Sequence, residues 1–330
     1  MTDTEHPFAP YIRILGKGKN GSRSLTLDEA RESMQMILND AVDPMQLGAF
    51  LMLIRVKEES AEEVAGFVQA NRDTTGKLAL PPVDLDWSSY AGKRRQLPWY
   101  MLSAFLLAGH GIRVLMQGSS PHTPGRIYSE DVLPHFGLSR AHSIAAAAND
   151  LQQHNFAYLP LDVFAPRLQQ IIDYKPILGL RSPVHTVARM LNPGNAAHSM
   201  QGIFHPGYQR IHQQASLLLG DKHSCVFKGE GGEAELNPDA DCEIYAVNQG
   251  VDSITHWPAM FSKRHVKNES MDVSQLKQVW QGSRADEYGE AAIIGTCAIA
   301  LITLQREKTA DAALALARQL WQSRDKTRFD

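Results

Sequence analysis

Three consecutive cations, Lys93-Arg94-Arg95, follow a turn rich in small residues (Ser88 to Gly92) and precede a helical segment that opens near Pro98. A helix N-terminus already carries about half a positive charge. Three cations placed there are electrostatically unfavourable unless an anion shares the site, so the chemistry this loop can do is phosphate recognition. The plain alternative is a solvated basic turn. Arg181 and Arg189 add two guanidinium groups from a second segment, with Arg126, Lys17 and Lys19 as further extensions. The charge distribution favours a shared positive surface. From Trp87 to Tyr128 there are five Lys/Arg and no carboxylate, and from Tyr174 to Gly220 there are four and again none. The net charge of the whole chain is −3, so the other residues carry −12. If the two acid-free stretches meet in space, they form one basic region on an acidic protein. The competing explanation is that both stretches are buried helix–strand units with few charges of either sign.

Other chemistry is less well supported. The run Gly16-Lys17-Gly18-Lys19-Asn20-Gly21 resembles a phosphate loop, but it precedes a helical hairpin and lacks the G-K-[ST] ending. Gly229 to Glu233 is glycine-rich, yet its carboxylates repel phosphate. They can hold a metal, though a strand-end turn is the simpler reading. Thirteen histidines form no H-E-x-x-H, and His198, His205 and His212 are interrupted by Gly202 and Pro206. No metal and no other cofactor is therefore expected. There is no G-x-S-x-G, and Cys225 beside His223 reads as sheet packing, so no catalytic residue is assigned.

The elements that must position these residues follow from pattern. Composition is that of a globular protein, 43% hydrophobic and 21% charged over 330 residues, a length that suggests two structural units. The longest apolar run, Ala291 to Leu304, is too short to span a bilayer, so no membrane partner is expected. Asp3 and Glu5 with no apolar segment read as the absence of a signal peptide, and three widely spaced cysteines fit a reducing compartment. A cytoplasmic location is the expectation.

Thr26 with Glu29 and Ser60 with Glu63 are capping boxes, and Asp43-Pro44 is an N-cap followed by proline at the first helical position. These predict a small helical unit over residues 1–75. After Pro81-Pro82, short apolar segments alternate with helical ones: Val83–Trp87, Pro98–Ala108, Ile112–Met116, Asp131–Phe136, Ala141–Asn149 and Ala157–Leu161. The alternation resumes at Gln201–Phe204, Tyr208–Leu219, Ser224–Lys228 and Glu243–Val247, and the chain closes with helices over Ala285–Leu304 and Ala310–Trp321. The fold class expected is α/β, a small N-terminal helical domain plus a larger domain with a mostly parallel sheet flanked by helices. The larger domain takes residues 76–164 and 191–330, with a helical return near 165–190.

Leu47 to Lys57 and Ala61 to Phe67 resemble the N-terminal domain of anthranilate phosphoribosyltransferases. Gly179-Leu180-Arg181-Ser182 through Leu191-Asn192-Pro193 is similar in its ends to that family's G-V-R-T…L-x-N-P, and Gly202-Ile203-Phe204 and Gly229 to Glu235 fall where the family has its next strand and acidic loop. The resemblance implies the glycosyltransferase family 3, nucleoside phosphorylase-like fold. The family's diphosphate loop G-T-G-G-D is replaced by Trp87 to Gly92, its K-H-G-N-R by Met116 to Ser120, and its magnesium-binding Asp-Glu by Ala234-Glu235; its Gly-Pro becomes Ala188-Arg189. Tyr90, Gly92, Arg94 and Gln96 match the Y-x-G-x-R-x-Q of the YbiB group. That likeness implies a homodimer that binds DNA or RNA without sequence preference through a basic groove. The residues expected to form it are Lys93, Arg94, Arg95, Arg181, Arg189, Arg126, Lys17 and Lys19; Tyr90 or Trp99 can add base stacking, although burial in the core is the first expectation for Trp99. Anthranilate phosphoribosyltransferase activity is not expected. The alternatives are a phosphoribosyl or glycosyl transferase with an altered substrate, and a structural or regulatory dimer.

Overall fold

The computed structural model describes residues 5–18, 20–266, 268 and 270–330. The candidate cation Lys19, and Asp3 at the N-terminus, lie outside the described residues. Four helices open the chain: α1 (Ala9–Gly16), α2 (Leu27–Leu38), α3 (Pro44–Lys57) and α4 (Ala61–Thr75). The caps form as their sequence requires. Thr26 accepts the Glu29 N–H while Glu29 accepts the Thr26 N–H, and Ser60 and Glu63 do the same. Glu63 is fully buried because it serves three donors: the N–H groups of Ser60 and Leu25 and the ammonium of Lys57.

The rest of the chain builds one seven-stranded sheet in the order β3-β2-β1-β4-β5-β6-β7, from β1 (Leu85–Ser89), β2 (Val114–Gly118), β3 (Phe156–Pro160), β4 (His198–Ile203), β5 (His223–Lys228), β6 (Cys242–Asn248) and β7 (Val251–Trp257). The first five strands pair in parallel and the last two antiparallel. Period-two alternation splits side chains between two cores. Leu85, Trp87, Val114, Met116, Phe156 and Tyr158 face α5 (Tyr100–Gly109) and the C-terminal helices Glu287–Thr303 and Ala310–Gln322. Leu115, Ala157 and Leu159 share the other core with α1–α4 and the helices Pro166–Asp173 and Val184–Val187.

β7 was not anticipated. Six of its seven residues are exposed, so an edge strand wet on both faces leaves no apolar alternation to read. No helix among the described residues is long and apolar enough to cross a membrane.

The chain runs from β1 through α5 to β2 on one side, and from β4 through the helix Tyr208–Leu218 to β5 on the other. The direction of winding therefore reverses between β1 and β4. Open parallel sheets bind ligands at the carboxyl ends of the two strands that flank such a reversal.

Candidate functional site

A cavity of about 290 Å³ lies at that reversal. Ala91 and Arg94 reach it from the loop after β1, and Ile203, Phe204 and His205 from the loop after β4. Arg181, His185 and Arg189 come from the segment between α4 and β4, Arg126 from the loop after β2, Arg55 and Glu59 from the end of α3, and Tyr208 from the following helix. Five arginines thus line one small space. Among the described residues, none of the five forms an ion pair with a carboxylate. Glu59 is the one acid in the lining. Burial pushes its carboxyl up from the usual range, and it accepts the Tyr208 hydroxyl at 2.7 Å.

Two of the arginines are held by carbonyl groups, and Arg181 donates to the Thr123 hydroxyl at 3.4 Å. Arg126 donates to Ala91 O at 2.8 Å and Gly92 O at 3.1 Å, while Arg189 donates to Gly202 O at 3.0 Å and to His185 O. Burial lowers the Arg189 pKa to about 10, so it stays charged at neutral pH. His185 and His212 in the lining, and His122 beside His185, do not: burial above all holds His122 down to about 4 and His212 to about 3, and puts His185 well below the ordinary value. The cavity's permanent positive charge is that of its five guanidinium groups.

The loop after β1 departs from what its sequence suggests. Glu233 Oε1 accepts the backbone N–H groups of Ala91 and Gly92, each at 2.6 Å. Glu235 accepts the Lys93 ammonium and the Tyr100 N–H at 2.8 Å, which caps the start of α5. Gly229 is what allows this acidic turn to fold back, because a Cβ there would collide with Glu233 O. The anion that three cations before a helix demand is present, and it is the protein's own.

This corrects the assignment of Lys93 as a phosphate contact: its side chain has no solvent exposure and its charge is already neutralised. Tyr90 is also withdrawn, buried with its hydroxyl donating to Gln117, so it offers no stacking face; Trp99 is core. Arg94, Arg126, Arg181 and Arg189 meet at the cavity. Arg95 is exposed beside it without lining it, and Lys17 is exposed at the end of α1, away from the lining. Arg55, His185, Phe204, His205 and Tyr208 were not foreseen.

Sequence comparison gives the kinship. A family model described as the helical bundle domain of a glycosyl transferase family matches residues 9–75. The protein YbiB of Escherichia coli K12, described as uncharacterized, is 30% identical over 248 residues, covering 73% of this chain and 77% of its own. The chain belongs to the YbiB family of anthranilate phosphoribosyltransferase-like proteins. An anthranilate phosphoribosyltransferase of Desulfitobacterium hafniense is 29% identical over 240 residues, 72% of this chain and 70% of that relative. Among solved structures, the anthranilate phosphoribosyltransferase of Thermus thermophilus superposes with a TM-score of 0.78 at 19% identity, covering 97% and 95% of the two chains. The Saccharomyces cerevisiae enzyme in complex with phosphoribosyl diphosphate and magnesium gives 0.78 at 15% identity, over 98% and 96%. These structural matches carry the fold of this YbiB family member.

A magnesium diphosphate does not fit the residues present in the acidic turn. Glu233 is spent on the loop amides and Glu235 on Lys93, and the described residues contain no group of three or more His, Cys, Asp or Glu placed to hold a metal.

Proposed function

We propose that this protein binds a phosphorylated small molecule in the five-arginine cavity, as a transferase-fold protein whose substrate differs from that of its anthranilate phosphoribosyltransferase relatives. The observation that carries this reading is the convergence of Arg55, Arg94, Arg126, Arg181 and Arg189, without carboxylate ion pairs among the described residues, on a space of about 290 Å³. That volume is at the lower end for small-ligand pockets. Guanidinium groups recognise phosphate bidentately and keep their charge when buried. Kinship supports the altered-substrate transferase better than it supports a nucleic-acid binder.

A second reading, sequence-independent nucleic-acid binding, rests on the rim. Arg94 and Arg95 are exposed, and their segment is tied to the loop carrying the exposed Lys263 and Arg264 through Asn268 N–H to Arg95 O at 3.1 Å and Gln96 to Val266 O at 3.3 Å. Such a surface suits a phosphate backbone.

Calorimetric titration separates the two. Pyrophosphate and ribose 5-phosphate should bind the wild type, and Arg181→Ala with Arg126→Ala should weaken them at least tenfold. Oligonucleotide binding that falls steeply with salt and is lost in Arg94→Ala, Arg95→Ala, with no small phosphate bound, would replace the first reading by the second. No binding of either class would end both.

A further inference from the structure

The cavity carries one feature that phosphate alone leaves unused: Phe204, which follows β4 and forms part of the cavity lining. It is 50% exposed, the one exposed ring among the eleven phenylalanines. Its backbone is fixed from below, since a Cβ on Gly232 would come within 3.2 Å of Phe204 Cβ and 3.3 Å of Ala91 Cβ. His205 meets the ring edge-on at 5.0 Å. A half-bare aromatic ring beside a basic cavity costs apolar hydration unless something flat covers it.

We infer that the ligand is a nucleotide: its phosphate lies among the arginines and its base stacks on the exposed face of Phe204. This deepens the phosphate-binding reading and rests on it. Every base has a face that can stack, so Phe204 confers a requirement for a base without choosing which one. The nucleotide can arrive free or within a single strand, and both present the same chemistry to the site.

The test is calorimetry with pyrophosphate, ribose 5-phosphate, AMP, UMP and an oligouridylate, on wild type, Phe204→Ala and Phe204→Tyr. AMP and UMP should bind the wild type about 5- to 150-fold more tightly than ribose 5-phosphate, the worth of one base–aromatic stack. Within the Phe204→Ala protein the nucleotides should bind no more tightly than ribose 5-phosphate, and Phe204→Tyr should keep the preference. The side chain is at the surface, so equal melting temperatures should show that the fold is intact. Nucleotides that bind no better than ribose 5-phosphate, or a Phe204→Ala protein that keeps the preference, would overturn the inference while the phosphate reading stands. If neither pyrophosphate nor ribose 5-phosphate binds, the phosphate reading itself falls. Oligouridylate binding with a salt slope of several phosphates would assign the nucleotide to a strand; affinity equal to UMP would assign it to the free form.

Discussion

The Lys93 ammonium and the Glu235 carboxylate form an ion pair in which neither side chain has any solvent exposure, although 142 residues separate them in sequence. Removing one partner strands the other in a medium that solvates charge poorly. Lys93→Ala should therefore destabilise the protein by about 3–5 kcal/mol. Lys93→Met combined with Glu235→Gln should recover most of that loss, because both charges leave together and the introduced amide oxygen still accepts the Tyr100 N–H. Chemical unfolding midpoints of the three proteins check this. Ligand affinity per folded molecule should be unchanged in all of them, which distinguishes a positioning pair from a phosphate contact.

The carboxylate of Glu233 occupies the two adjacent backbone amides of the loop after β1, Ala91 and Gly92. Glu233→Ala leaves the Ala91 and Gly92 N–H groups buried without an acceptor, at a cost of about 1–3 kcal/mol for each such group. Sulfate or phosphate should then raise the melting temperature of Glu233→Ala more than that of the wild type, by filling the vacated nest. Equal shifts in the two proteins would show that the amides find another partner. Glu233→Gln, which keeps an acceptor oxygen, should behave like the wild type.

Local rules were legible in this sequence and long-range partners were not. Thr26, Asp43 and Ser60 announce their helices because each cap is a contact within a few residues, and apolar runs such as Ile112–Met116 announce strands because both faces are covered. β7 escaped because its exposed Val251, Asp252 and Ser253 share no buried face. The basic loop is legible as a place that needs an anion, because three adjacent cations before a helix are a local feature. Its partners Glu233 and Glu235 are not legible: carboxylates in a glycine-rich turn read as repelling phosphate, and nothing local shows that the turn folds onto a loop so far back in the chain. Arg55 escaped for a related reason. On the helix it is one polar residue in an apolar run, and only the packing of the helix Tyr208–Leu218 against α4 brings Tyr208 to Glu59 beside it.

Asp86 lies in the middle of β1, fully buried, with Gln117 Nε2 at 3.4 Å from Oδ1 and no partner for Oδ2. Burial pushes its carboxyl up to about 7. A carboxyl that holds its proton more tightly when folded adds stability that is complete below about pH 4 and is lost as pH rises through 7. Asp86→Asn should remove this dependence. The variant should gain about 2–4 kcal/mol over wild type at pH 8 and little at pH 4. Melting temperatures of both proteins across that range give the difference directly; parallel curves would show that Asp86 is ionised throughout.

The last prediction concerns α3, which is apolar on both sides. Leu47, Phe50, Leu51 and Ile54 turn into the helical core, while Met45, Ala49, Met52 and Val56, spaced four, three and four residues apart, form a second stripe. Met45 is 82% and Val56 81% exposed. Isolated exposed apolar residues need no partner, but a stripe along a helix is the pattern that buries against another helix. We propose that two copies of the chain associate through this stripe. Light scattering should give the dimer mass, and Met45→Glu with Val56→Glu should shift it to the monomer. The double variant should keep its melting temperature at low concentration, since neither side chain belongs to the core. A wild-type mass equal to one chain at every concentration would rule the stripe out as an interface between copies.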